Sequence, residues 1–170
     1  NGNRLETISN ITEETESWQR EASIAPLDGG GFVVTWETDG DPDSITNIDY
    51  DVEFRIFDEN GTPTTEALTV AAHSGSDQMD PDVATLNNGD FVIVWGAESS
   101  NSTVEKIYGR IFDSSGAASG TQFVIDGPQE TSSDKVLPSV AALNDGGFYV
   151  SWGSHTHNLY GQRFDENGAT

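Results

Sequence analysis

The chain has 170 residues, no cysteine, and 29 acidic against 7 basic side chains, for a formal net charge of −22. Disulfide and thiolate chemistry are excluded, and a surface of this charge repels nucleic-acid phosphate and anionic lipid while attracting cations, Ca²⁺ above all. Eighteen glycines and a 34% hydrophobic share suit short strands joined by many turns, and no apolar run approaches the ~20 residues that carry a helix across a bilayer, so membrane insertion is not expected.

In chain order, RLETISNIT (4–12) reads as a strand, and Trp18 follows in EETESWQR. A first core strand is expected over roughly 22–27, closed by a turn of Asp and Gly. GGFVVTW (30–36) then alternates with period 2, so that Phe32, Val34 and Trp36 point one way and Val33 and Thr35 the other. An acidic loop, ETDGDPDSITNIDYD (37–51), leads to FRIFDENG (54–61), in which Asp-x-x-Gly supplies a turn with Gly at the positive-φ position. ALTVAA (67–72) completes four strands. The same order then recurs. GDFVIVW (89–95) and GGFYVSW (146–152) repeat the Phe-x-Val-x-Trp strand, and GRIFDSSG (109–116) and GQRFDENG (161–168) repeat the turn. TQFVID (121–126) is the fourth strand of the second copy, and the third copy has none.

The copies run over approximately 18–76, 77–133 and 134–170 of a single repeat domain. The spare strand at 4–12 is expected to complete the last sheet beside residues 159–165, which would hide an edge that invites aggregation. The expected fold is therefore all-β. Three four-stranded antiparallel sheets would stand about a pseudo-threefold axis, propeller-like or prism-like. The aromatic stripes, Phe32, Phe91 and Phe148 with Trp36, Trp95 and Trp152, are expected in the core.

The pattern P-x-V-A-x-L-x-x-G-x-F-V-V-x-W followed by I-Y-G-R-I-F-D-x-x-G, met by 81–95 with 107–116 and by 138–152 with 159–168, resembles a tandem repeat of large bacterial RTX-type surface and secreted adhesin-like proteins. The first copy departs from it, with Ala22 for Pro and Glu53-Phe54 for Tyr-Gly. The resemblance implies an extracellular, modular protein and gives no ligand. The chain opens on Asn1 without a basic-then-apolar leader, and is read as a mature form or an excised domain.

In a repeated scaffold, function tends to sit where the copies differ. Three loops diverge: 37–51, 96–106 and 153–158. The first carries Asp39, Asp41, Asp43, Asp49 and Asp51, alternating carboxylates of the kind Ca²⁺ uses, although the Gly and Glu that finish an EF-hand loop are missing. His155 and His157 in the third loop are too few for a zinc site and, with Asn101 in the second, are expected ligand contacts. Trp18, outside the repeat pattern, is read either as a plug at one end of the core or as a stacking surface for a sugar ring. No G-x-S-x-G, H-E-x-x-H or phosphate loop is present. The chain is accordingly expected not to be an enzyme. It is expected to be a secreted or cell-surface module that binds a glycan or cell-surface protein, with Ca²⁺ ordering its first loop. A self-associating spacer, a homo-oligomer closing a larger ring, is the alternative, and a polysaccharide-active enzyme ranks behind both.

Overall fold

The computed structural model describes residues 10–12, 17–39, 50–70, 76–99, 105–125, 137–153 and 158–170. Eleven strands form three antiparallel meanders. The first sheet is β1 (Gln19–Pro26), β2 (Phe32–Asp39), β3 (Tyr50–Phe57) and β4 (Leu68–Thr69). The second is β5 (Ser76–Thr85), β6 (Phe91–Ser99), β7 (Glu105–Phe112) and β8 (Phe123–Ile125). The third is β9 (Ser139–Ala142), β10 (Phe148–Gly153) and β11 (Leu159–Phe164), with β10 in the middle. The all-β reading and the repeat of small antiparallel sheets are thus present. Three strands are described in the last sheet, and its expected closure by the N-terminal strand falls mostly on residues outside the described ones. Ile11 is described: its carbonyl accepts from Arg55 Nη1 at 3.2 Å, as the carbonyl of Val70, just after β4, accepts from Arg110 Nη1 at 2.8 Å. Ile11 therefore stands to the first sheet as the end of a fourth strand stands to the second.

Two strand lengths differ from expectation. β1 starts at Gln19 because its polar first residues pair with the far end of β2, Gln19 with Thr38 and Arg20 with Glu37. A bulge between Arg20 and Ser23 then resets the register, with Glu21 at φ 51°. β5 repeats the device between Met79 and Asp82, with Asp80 at φ 52°. The fourth strands are short, two and three residues.

The alternation of the Phe-x-Val-x-Trp strands decides the packing. In the second sheet Phe91, Ile93 and Trp95 pack against Val33, Val52, Phe54 and Ile56 of the first. The opposite face, Val92 and Val94, packs with Ile107 and Ile111 against Phe148, Val150 and Trp152 of the third. The aromatic stripes of the second and third sheets thus dock on the plain face of the sheet before them. Phe91 and Phe148 are fully buried and the three tryptophans nearly so, as expected, while Phe32 is half-buried. β1 touches β5 and β5 touches β9. Among the described residues no comparable packing joins β9 back to β1.

Candidate functional site

The hairpin turns after β1, β5 and β9 lie at one end of the sheets. The connections after β2, β6 and β10, and the crossings that enter β5 and β9, leave from the other, here the loop end. At the loop end the first two sheets meet through polar side chains. Pairing beyond β1 continues to Trp18, whose carbonyl accepts from Asp39 N at 3.0 Å. Trp18 is 74% exposed. The expectation that it plugs the core is corrected: it precedes β1 beyond the last apolar contact of the sheet, and its indole stands in solvent.

Two residues on, Arg20 meets Glu37 across the strands. Its Nε lies 2.8 Å and its Nη2 2.6 Å from Glu37 Oε1. Glu37 is fully buried, and its Oε2 accepts from Asp80 N of the second sheet at 3.3 Å. The hydrogen bond from Glu37 raises the Arg20 pKa, against the opposing effect of burial. The guanidinium lies over the Tyr50 ring at 4.4 Å, and Tyr50 N donates to Asp77 Oδ1 at 3.3 Å. Further in, Asp82 ties the three inner strands together. Its Oδ1 accepts from Ser23 Oγ at 2.6 Å, and its Oδ2 from Ser139 Oγ at 3.0 Å and Val140 N at 2.8 Å.

The strands do not bring Asp39 and Asp51 of the first loop together. Asp39 pairs with Tyr50 and is buried, whereas Asp51 pairs with Thr38 and is half-buried. Paired residues share a face and neighbours alternate, so Asp39 and Asp51 point to opposite sides of the sheet. Asp41, Asp43 and Asp49, like Asn101, His155 and His157, lie outside the described residues. Among the described residues no three acidic or histidine side chains form a group able to hold a metal. Arg20, Glu37 and Tyr50 were not foreseen. The signal was available in the alignment, where the partners Met79 and Gly96 hold their places in the second copy.

No protein-family model and no curated protein sequence matches the chain. Solved structures do. A Dyadobacter fermentans protein of unknown function aligns with TM-score 0.61 at 10% identity, over 90% of this chain and 52% of that one. A Penicillium chrysogenum α-L-arabinanase complexed with arabinobiose aligns with TM-score 0.52 at 14% identity, over 88% and 42%. A GH43 endo-arabinanase from Bacillus licheniformis aligns with TM-score 0.50 at 13% identity, over 93% and 58%. The chain spans about half the length of these structures, and the two arabinanases are β-propeller-like. These likenesses concern the fold. They overturn the expectation that the chain is not an enzyme, because that expectation rested on missing motifs. Arabinanases share this fold at 13–14% identity, and glycoside hydrolysis needs two carboxylates brought together from separate strands, which leaves no contiguous signature.

Proposed function

We propose that the chain is a carbohydrate-active part of a secreted or cell-surface bacterial protein, built on propeller-like sheets, which engages a glycan at its loop end. The observation that carries this is the exposed Trp18 beside an Arg20–Glu37 pair that the other copies lack. The indole offers an apolar face to a sugar ring, and the fixed guanidinium offers donors to its hydroxyls. The fold likeness to an arabinanase complexed with arabinobiose adds arabinan-type chains to the candidates. Acid–base chemistry at this end would draw on carboxylates such as Asp39, Asp77 and Asp80, each of which has partners of its own in the fold. In this reading Ca²⁺ orders the first loop, and the bacterial, extracellular setting rests on the repeat resemblance.

The test is a panel of arabinan, galactan, xylan and glucan, scored both for retention in affinity gels and for reducing-sugar release. Retention of at least one polysaccharide, weakened about tenfold by Trp18→Ala, as the loss of ~1.4 kcal/mol of ring stacking would give, is the expected result. No retention and no release across the panel would sink the reading.

A self-associating spacer is the second reading, and one observation favours it. Ile24 is 63% exposed, while Val83 and Val140, at the same register in the other sheets, are 6% and 9% exposed. Ile24 is thus an apolar position left open where its counterparts are covered, although Val34 and Trp36 of the same face are buried. Light scattering decides: a mass of two chains supports it, a mass of one does not.

A further inference from the structure

The plain face of the third sheet is open where those of the other two are covered. Ala25, Val33 and Val52 on the first sheet, and Ala84, Val92 and Ile107 on the second, are all buried. At the same registers the third sheet has Ala141, Tyr149 and Leu159. Ala141 is exposed, Tyr149 is 43% exposed and Leu159 is 86% exposed. A side chain at Gly161 would run into the Tyr149 ring, so that ring lies across its own sheet and widens the apolar surface. Adjoining apolar side chains left open in this way mark an interaction surface.

The covered faces show what kind of surface fits. Each is met by the sheet that follows, led by its first strand: β5 packs across β1, β2 and β3, and β9 packs on β5 and β6. Val83 of β5 and Val140 of β9 lie in those two cores. Their counterpart on the first sheet is Ile24 of β1, which is 63% exposed. Val34 and Trp36 of the same face are buried, so Ile24, with the half-buried Phe32, is the open part of that face. The molecule thus carries one uncovered plain face and one uncovered leading strand. They are the two halves of an interface that it already makes twice.

We infer that the plain face of the third sheet is a docking surface for a second copy of this chain, placed head to tail, with Ile24 of one copy set against Tyr149 and Leu159 of the other. This rests on the self-association reading above and adds the two surfaces and their direction. A head-to-tail contact uses different surfaces on the two copies, so it ends in a closed ring or runs on as a filament. Three sheets from each of two copies fall within the roughly four to eight blades that close a propeller. The solved structures agree with that size, since this chain spans 52% of one and 58% of another. Charge sets the conditions. Two chains of −22 repel each other, so the contact should strengthen as salt screens them.

The experiment is light scattering with sedimentation equilibrium, at the highest soluble concentration in low and high NaCl. The samples are the parent, Ile24→Asp, Leu159→Asp and an equal mixture of the two variants. Melting curves are taken for all, and Ile24→Thr and Leu159→Thr, which keep a strand-forming side chain, decide if the Asp variants unfold. Expected is a parent mass of two chains, favoured by high salt. Each Asp variant should fall to one chain while melting as the diluted parent does, and each Thr variant should dissociate at least tenfold more readily. The mixture should recover two chains, because it leaves one junction intact: Ile24 of the Leu159→Asp copy on Leu159 of the Ile24→Asp copy. If Leu159→Asp is single while Ile24→Asp stays double, two plain faces meet each other and the head-to-tail contact is wrong. If both variants stay double, neither surface is the contact, and the self-association reading survives. A mass that climbs steadily with concentration overturns the closed pair. A parent that stays single in every condition removes this surface and the self-association reading together, and leaves the carbohydrate reading untouched.

Discussion

Glu37 is completely buried, and its carboxylate is met by Arg20, whose side chain keeps 40% of its exposure. A buried carboxylate is tolerable only while its partner is present. Arg20→Met should therefore lower stability by about 2 kcal/mol, below the range for fully buried pairs because one partner reaches solvent. The double change Arg20→Met with Glu37→Leu should recover most of that loss, since an apolar pair of similar size removes the stranded charge. Urea unfolding of the single and double variants checks this, and a double variant as unstable as Arg20→Met would show the pair stabilises the fold in its own right. The contrast explains what could be read in advance. Apolar positions such as Phe91 or Trp152 announce burial by their type and spacing. Glu37 sits in a stretch, ETDGDPD, that looks like solvated loop, yet it belongs to β2 and is covered by the second sheet. Only its replacement by Gly96 and Gly153 in the other copies marks it as unusual.

The turns after β3, β7 and β11 are built alike, from motifs plain in the chain. Asp58 Oδ1 accepts from Asn60 N at 2.9 Å and Thr62 N at 2.8 Å. Asp113 does so from Ser115 N and Ala117 N, and Asp165 from Asn167 N and Ala169 N. Gly61, Gly116 and Gly168 follow at φ 79°, 88° and 80°, the positive region foreseen for Asp-x-x-Gly. These hydrogen bonds hold the three carboxyl groups below the usual Asp pKa, chiefly through Thr62 for Asp58, Ser115 for Asp113 and Ala169 for Asp165. A carboxyl whose pKa is depressed on folding contributes stability above its unfolded pKa and loses it as pH falls through the folded value. From these turns the melting temperature should be level above about pH 5 and fall below about pH 4. The triple variant Asp58→Asn, Asp113→Asn, Asp165→Asn should flatten that acid limb, and an unchanged limb would remove the turns as its cause. The first loop is a different case. Its carboxylates were evident, but sheet alternation separates Asp39 from Asp51, something a count of aspartates does not reveal. A Ca²⁺ site there draws on 40–49 with at most one of these two. Millimolar Ca²⁺ should raise the melting temperature and excess chelator reverse it; no shift retires the ion.

Across the molecule the repeat made the sheets legible, and the alternation of its strands made their faces legible too. It did not tell whether the sheets close about a threefold axis, because Ile24 is as apolar as Val83 and Val140 and its exposure shows only in the structure. Net charge acts at this scale as well. With 29 acidic and 7 basic side chains, most carboxylates have no cation to pair with, and folding gathers them onto a smaller surface than the unfolded chain offers. Self-repulsion therefore works against the folded state. Salt shortens the reach of that repulsion, from ~10 Å at 0.1 M to ~3 Å at 1 M. Salt would also weaken ion pairs, among them Arg20 with Glu37, which is half shielded, and the exposed Arg163 with Asp145 at 2.5 Å. Repulsion should dominate. Raising NaCl from 0.05 M to 1 M at pH 7 is expected to lift the melting temperature by at least about 3 °C, roughly what 1 kcal/mol gives a chain of this size, with KCl acting alike. A flat or falling response would mean that the carboxylates are already compensated in the fold.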